Sequence, residues 1–343
     1  MRKLLNTLFV TTEEAYLTLD GENIVVKLKD NELGRFPLHA LDGVFTFAYS
    51  GASPALMGAC AKRGINLCFN TPNGRFLART TGLENGNVLL RRKQYRIADD
   101  LKQSCAIAKH MILGKVYNCR WSIDRTMRDH SMRIDSDKLE KVCKNLNDYM
   151  QRIAKEEDLE TLRGLEGTSA SEYFSVFDDM ILGDKDNFFF HERNRRPPLD
   201  NVNALLSFFY SLLANDCSSA LEAVGLDAYV GFMHRDRPGR TSLAMDMMEE
   251  LRPCLADRMT LTLINNRIVS SSDFTKTESG AVLMTDGCRK KVIKAWQEHK
   301  RESIRHPYLG ENIQWGLLPY VQSLLLVRYI RGDIDGYPPF MWK

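Results

Sequence analysis

Up to about residue 80, apolar positions alternate with polar ones or come in short runs. Beyond about residue 88 they recur every third and fourth place instead. The alternating part predicts strands over 4–10, 15–20 and 24–28, with Asp20-Gly21 as the hairpin turn between the last two. An aromatic and β-branched segment, 44–49, predicts a further strand. Ser53-Pro54 then reads as an N-cap followed by a first-turn proline, and Gly64 as the stop of the helix they start. Strands are expected over 65–69 and 75–78, around the turn Thr71-Pro72-Asn73-Gly74. The fold class expected is α+β, with a small N-terminal β-rich domain (1–82), a linker (83–87) and a larger all-α C-terminal domain (88–343). No paired acidic or His/Cys cluster occurs before the linker, so a folding and oligomerisation module is expected there.

In the second part, a long basic helix is predicted over 88–110, continued in character by 111–132, and a charged amphipathic helix over 136–153. Residues 159–163 lead into Gly164-Leu165-Glu166-Gly167, with a helix carrying on through 173–182 and Glu166 near its start. Asn187–Pro198, NFFFHERNRRPP, predicts a rigid arginine-bearing loop, after which Asp200 caps an apolar helix over 202–213. Apolar helices follow over 257–266 and 313–330, a hairpin-like loop over 274–283, and a basic helix over 286–305. The last residues, YPPFMWK, cannot make a stable helix; they are expected to dock on a partner or fold back on their own chain.

Composition narrows the class. A 44% hydrophobic and 27% charged chain is globular, and its net charge of +3 says little about partners. The distribution says more: 91–133 carries 11 Lys/Arg against 4 Asp/Glu, 289–305 carries 7 against 2, and 135–160 offsets part of this with 5 against 8. Localised positive charge is what a nucleic-acid face needs, although solvated helix faces give the same pattern. Eight cysteines include no C-x-x-C pair, which excludes zinc knuckles and thioredoxin-like chemistry; reduced core thiols are expected. No run approaches a membrane span, and the N-terminal apolar run is too short for a signal sequence, so a cytoplasmic protein is expected.

The chemically densest stretch is GFMHRDRPGRTSLAMDMMEELRP, residues 231–253. His234 emerges from a short apolar segment. A basic turn follows, with Arg235, Arg237 and Arg240. Thr241 or Ser242 then caps a helix whose core stripe is Leu243, Met247 and Leu251, with Asp246 and Glu249 together on its flank. Glu250 is also within helical reach of Asp246, so spacing alone does not choose between the two glutamates. Carboxylate oxygens and a neutral imidazole are the donors that Mg²⁺ or Mn²⁺ accepts, and a bound ion can activate a nucleophile and stabilise a leaving alkoxide. A His-x11-Asp-x2-Glu spacing on its own is more often a cap and a solvated helix face. The arginine turn beside it, and Arg91, Arg92, Arg96, Arg193, Arg195 and Arg196 elsewhere, are candidates for holding a phosphate backbone.

LEGTSASEYF, RNRRPPLDNVNALLSFFYSLL and GFMHRDRPGRTSLAMDMMEELRP, in this order, resemble the CRISPR-associated integrase of the adaptation step, the metal-dependent endonuclease that inserts new spacers. Length and the YPPFMWK tail look most like the type I-C branch. The resemblance implies a β-rich N-terminal and a helical C-terminal domain, and a homodimer. Two such dimers would be bridged by the small second adaptation protein in a heterohexamer. It implies double-stranded DNA as substrate, both captured fragments and the CRISPR repeat. It also implies that Glu166, His234 and Glu249 bind Mg²⁺ or Mn²⁺, with Asp246 near or in the site, and it selects Glu249 over Glu250. Some relatives carry aspartate where this chain has Glu249, so the longer arm alters the reach to the metal. The rival readings are a non-catalytic DNA-binding scaffold and a nuclease acting on branched DNA in repair.

Overall fold

The computed structural model describes residues 7–12, 14–41, 43–48, 50–71, 76–80 and 88–342. Seven strands open the chain: β1 (Thr7–Val10), β2 (Tyr16–Asp20), β3 (Asn23–Leu28), β4 (Asn31–Pro37), β5 (Gly43–Thr46), β6 (Asn66–Asn70) and β7 (Phe76–Arg79). β2, β3 and β4 form an antiparallel meander, and Asp20 pairs with Asn23 across the predicted turn, where Gly21 takes a φ of +56°. The second sheet runs β1-β5-β6-β7. Its first three strands pair in parallel, which strand patterning did not anticipate. A parallel neighbour needs a crossover, and helix α1 (Pro54–Arg63) supplies it between β5 and β6. Ser53 Oγ accepts the Leu56 N–H at 3.3 Å, and Gly64, at φ +67°, ends the helix as expected. Leu17, Ile24, Val44, Leu56 and Leu67 make the core of this region. The linker 83–87, residues 72–74 of the predicted turn and the boundary at 82 lie outside the described residues.

The rest of the chain is predominantly helical: α2 (Val88–Ala98), α3 (Leu101–His130), α4 (Ser136–Lys155), α5 (Leu159–Phe174), α6 (Asn201–Ala223), α7 (Ser242–Leu251), α8 (Arg258–Asn265), α9 (Asp286–Arg301) and α10 (Leu318–Arg331). Two short ribbons interrupt it, β8 (Phe274–Lys276) with β9 (Val282–Met284), and β10 (Ser303–Arg305) with β11 (Asn312–Gln314). The long basic helix expected over 88–110 is broken. Asp100 Oδ1 accepts the N–H groups of Lys102 and Gln103 at 2.9 and 3.0 Å and starts a new helix, which runs through to His130. Chain segments group into two units by packing: the N-terminal strands with Met284–Glu302 and Gln314–Leu317, and the remaining helices. All eight cysteines are buried and none is in a disulfide, and among the described residues no helix is long and apolar enough to cross a membrane.

Within the helical unit, α7 is enclosed. It packs against α3 on one side and α6 on another, and every residue from Leu243 to Leu251 except Met245 is buried. The solvated helix face that the spacing alone would also fit is therefore absent; the carboxylates of Asp246, Glu249 and Glu250 all lie inside the protein. Buried charge of this kind persists only when fully paired, so the partners of these groups define the site. The C-terminal tail folds back on its own chain. The Trp342 N–H donates to Asn118 Oδ1 at 2.8 Å, while Asn118 Nδ2 donates to the Phe340 and Glu250 carbonyls at 2.8 and 2.7 Å. Tyr337 and Phe340 are buried.

Candidate active site

Asp246, from the second turn of α7, organises the segment before it. Its Oδ2 accepts the N–H groups of Phe232 and Met233 at 2.6 and 2.9 Å, and its Oδ1 accepts the N–H of His234 at 2.9 Å. The same Oδ1 takes the His234 ring at Nδ1, 2.6 Å away. A carboxylate so placed fixes the proton on Nδ1 and turns the Nε2 lone pair outward. This wrap needs Gly231: a Cβ there would lie 2.8 Å from Asp246 Oδ2 and 2.9 Å from the Ser242 backbone carbon. With all four contacts made inward, Asp246 stands behind His234 as its support. Arg163 of α5 holds the other end of the segment, donating from Nε to the Met233 carbonyl at 2.8 Å and from Nη2 to the same oxygen.

Glu249 lies one turn along α7, and His234 Nε2 faces its Oε1 at 4.0 Å. Arg252 Nη1 donates to that Oε1 at 2.5 Å. Lys115, a 7% exposed residue in the middle of α3, joins the two glutamates. Its Nζ donates to Glu166 Oε1 and lies 2.7 Å from Glu249 Oε2. Glu249 Oε2 receives no aligned hydrogen bond, so charge alone compensates it. Burial raises the Glu249 carboxyl, but Arg252, Lys115 and His234 outweigh it and hold the group down at about 2. Burial likewise pulls Lys115 down, and Glu249 and Glu166 more than reverse it, so the ammonium stays charged. Glu166 projects from the interior of α5, which Asp158 starts by accepting the Thr161 N–H at 2.7 Å; the residue is not near a helix start as expected. Gly164 and Gly167 beside it meet no neighbouring atom within 4 Å of an added Cβ, so this face of α5 is open.

Glu250 turns the other way. Its Oε1 accepts from the Tyr337 hydroxyl and from Gln322 Nε2 at 2.9 Å, and its Oε2 accepts the Phe340 N–H at 2.8 Å. Burial pushes this carboxyl up to about 7 against the lowering effect of those donors. Glu249 thus faces His234 and Glu166's partner Lys115, and Glu250 faces the tail.

Two carboxylates around one positive charge, with an imidazole nitrogen 4.0 Å from one of them, form a donor set that fits a hard or borderline divalent cation. The Lys115 ammonium already occupies the cationic position. As the side chains stand, no three His, Cys, Asp or Glu among the described residues close together as ligands, and Lys115 contacts both Glu166 and Glu249.

The candidate phosphate-binding arginines divide into two groups. Arg193 is committed to its own domain: Nη1 donates to Asn203 Oδ1 at 2.6 Å, Nη2 to Ser207 Oγ at 3.1 Å, and the guanidinium lies 5.1 Å from the Tyr210 ring centre. Arg252 covers the same ring at 5.2 Å, and the Tyr210 hydroxyl donates to Asp257 at 2.7 Å, so the arginine loop is braced to the floor of the site. Arg240 is drawn in, donating from Nη2 to the Arg235 carbonyl and from Nε to Ser242 Oγ at 3.3 Å. Arg91 is half-buried, whereas Arg92, Arg96, Arg195, Arg196, Arg235 and Arg237 are exposed. Arg235 pairs with Glu160 at 2.9 Å at the rim of a cleft of about 300 Å³, lined by Tyr95, Leu101, Arg163, Gly231 and His234 among others. Sequence reasoning missed Lys115, Arg163 and Arg252 as parts of this site. Only Arg252 carried a usable signal, since it stands three places after Glu249.

The profile of the family described as CRISPR associated protein Cas1 matches residues 8–298. The chain is 48% identical over 343 residues to CRISPR-associated endonuclease Cas1 1 of Chlorobaculum tepidum, and 50% identical over 348 residues to CRISPR-associated endonuclease Cas1 2 of Rhodospirillum rubrum; each match covers all of both proteins. Its fold is that of a casposase bound to integration product, with a TM-score of 0.84 at 21% identity over 98% of this chain and 94% of the other. Full-length identity near one half, together with a family match across most of the sequence, places this chain in the Cas1 family of CRISPR-associated endonucleases.

Proposed function

We propose that the chain is a metal-dependent DNA endonuclease and integrase that inserts captured foreign DNA fragments as spacers into a CRISPR array. The observation that carries this reading is the convergence of Glu166 and Glu249, from separate helices, on one cationic position beside His234 Nε2. Glu166, His234 and Glu249 would hold Mg²⁺ or Mn²⁺, which would supply Lewis acidity to the phosphodiester and its nucleophile. Asp246 keeps the His234 ring in one tautomer and orientation, a positioning role. Arg252 holds Glu249 ionised. In the reaction, the 3′-hydroxyl oxygen of the captured fragment bonds to the target phosphorus as the target strand's P–O3′ bond breaks. The attacking hydroxyl gives up its proton, and the departing 3′-oxygen takes one up. With water as nucleophile the same exchange is hydrolysis.

The open glycine face of α5 beside Glu166 allows a DNA backbone to come close. Exposed Arg92, Arg96, Arg195, Arg196, Arg235 and Arg237 would grip phosphates, giving binding that weakens steeply with salt. Membership of the family supports a homodimer, a small second adaptation protein as partner, and the heterohexamer they would form in the cytoplasm. The type I-C assignment rests on chain length and the YPPFMWK tail alone. A strand-transfer assay on supercoiled plasmid, with and without a repeat and with a chelator control, tests the reading. Glu166→Ala should lose integration while keeping most DNA binding. Normal strand transfer by this variant in Mg²⁺ or Mn²⁺ removes the site assignment, and indifference to chelator favours a non-catalytic scaffold.

A further inference from the structure

Lys115 is neither a predicted ligand nor an exposed cation, yet it sits at the focus of the site. Its ammonium contacts both glutamates, and it is nearly enclosed by protein on the central helix α3. Two carboxylates held this close, one of them buried, repel one another unless a positive charge stands between them. Lys115 removes that repulsion. On the Glu249 side its ammonium lies 2.7 Å from Oε2. Gly114, next to it, brings α3 against α7 closely enough for this reach: a Cβ there would lie 3.0 Å from the Glu250 Cβ.

We propose that Lys115 is a built-in counter-ion that holds the two glutamates together, and that a divalent cation binds by displacing its ammonium from between them. The inference rests on the metal-site reading above. Entry of the ion is an exchange of one cation for another. The protein must give up both lysine contacts before the ion gains the same oxygens, and that cost weakens apparent affinity. Lys115 is thus a positioning residue that sets how readily the site loads.

The test uses the purified full chain and Mn²⁺ alone, titrated calorimetrically at neutral pH, with thermal unfolding recorded in EDTA and in Mn²⁺. Lys115→Met and Lys115→Gln should bind Mn²⁺ about tenfold or more tightly than wild type, because no ammonium has to leave. Both should melt lower than wild type in EDTA and gain more from Mn²⁺ than wild type does. A Lys115→Met protein that is unfolded in EDTA but recovers a cooperative transition in Mn²⁺ gives the same support. Variants that bind Mn²⁺ with wild-type or weaker affinity overturn the proposal, as does a Lys115→Met chain that Mn²⁺ fails to rescue while Lys115→Gln binds like wild type. Glu166→Gln separates the two ideas. If it abolishes wild-type Mn²⁺ binding and the lysine variants still match wild type, only the counter-ion role fails. If wild type shows no Mn²⁺ binding that depends on Glu166, the metal site fails and the proposal with it.

Discussion

Glu249 and Glu250 are neighbours in sequence, equally buried, on the same short helix, and they serve opposite ends. Glu249 faces the Lys115 ammonium and the Arg252 guanidinium, which hold its carboxyl down at about 2. Glu250 faces Tyr337, Gln322 and the Phe340 N–H, with no positive charge in contact, and burial lifts it to about 7. Burial alone acts the same way on both. The difference comes entirely from which neighbours carry full charge and which carry only dipoles. One face of α7 is therefore ionic, and the other is a neutral-leaning clasp on the tail.

The largest effect should separate the two glutamates directly. Glu249→Gln is expected to lower strand transfer by roughly 10²–10³-fold or more, as expected for loss of a group acting on the reacting phosphate. Glu250→Gln should lose less than about tenfold. Equal losses in a labelled-oligonucleotide assay in Mn²⁺ would erase the distinction between the two faces.

The clasp face is probed by pH. The folded Glu250 carboxyl, at about 7, lies above its ordinary 4.5, so the folded state holds this proton more tightly than the unfolded chain does. Its contribution is whole below pH 4.5 and is lost as pH rises through 7. Relative to Glu250→Gln, wild type should lose on the order of 3 kcal/mol across that window. Chemical denaturation at several pH values measures this, and a constant difference between the two proteins would show that Glu250 stays ionised throughout.

On the ionic face, Asp246→Asn places an N–H among donors that need an acceptor. Mn²⁺ affinity should fall about 10–100-fold, as is usual for the support of a metal-facing histidine. Unchanged affinity would separate His234 from its proposed role. The smallest effect expected is on packing. Gly231→Ala pushes a methyl against Asp246 Oδ2 and the Ser242 backbone and should cost about 1–3 kcal/mol in denaturant midpoint experiments. A neutral outcome would mean that the 232–234 segment can shift without loosening the carboxylate.

Much of the fold is legible in the sequence because its signals are local. Ser53-Pro54 and Gly64 bound α1, Asp20-Gly21 turns the first hairpin, and Asp200 caps α6 through its bond to the Asn203 N–H. The break at Asp100 was missed because an apolar period continues across it, and a cap shows only in which backbone N–H groups the carboxylate reaches. The parallel pairing of β1, β5 and β6 was missed because pairing partners leave no mark on a strand's own alternation. The arginines show the same limit. Arg193 and Arg196 look alike in RNRRPP, yet one is fastened to Asn203, Ser207 and Tyr210 and the other is exposed.

By itself, the sequence determined the two-part architecture, the concentration of chemistry in residues 231–253, and, through its resemblance, the family and the candidate residues Glu166, His234, Asp246 and Glu249. Periodicity and residue type suffice for that, because helix and strand formation and caps act over a few neighbours. Only the tertiary structure decided what faces what: that α7 is buried all round, that Asp246 stands behind His234, that Glu250 belongs to the tail, and that Lys115 on α3 lies between Glu166 and Glu249. Those relations are set by how three helices pack, and Coulomb interactions in a buried site depend on distance in space, which spacing along the chain does not encode.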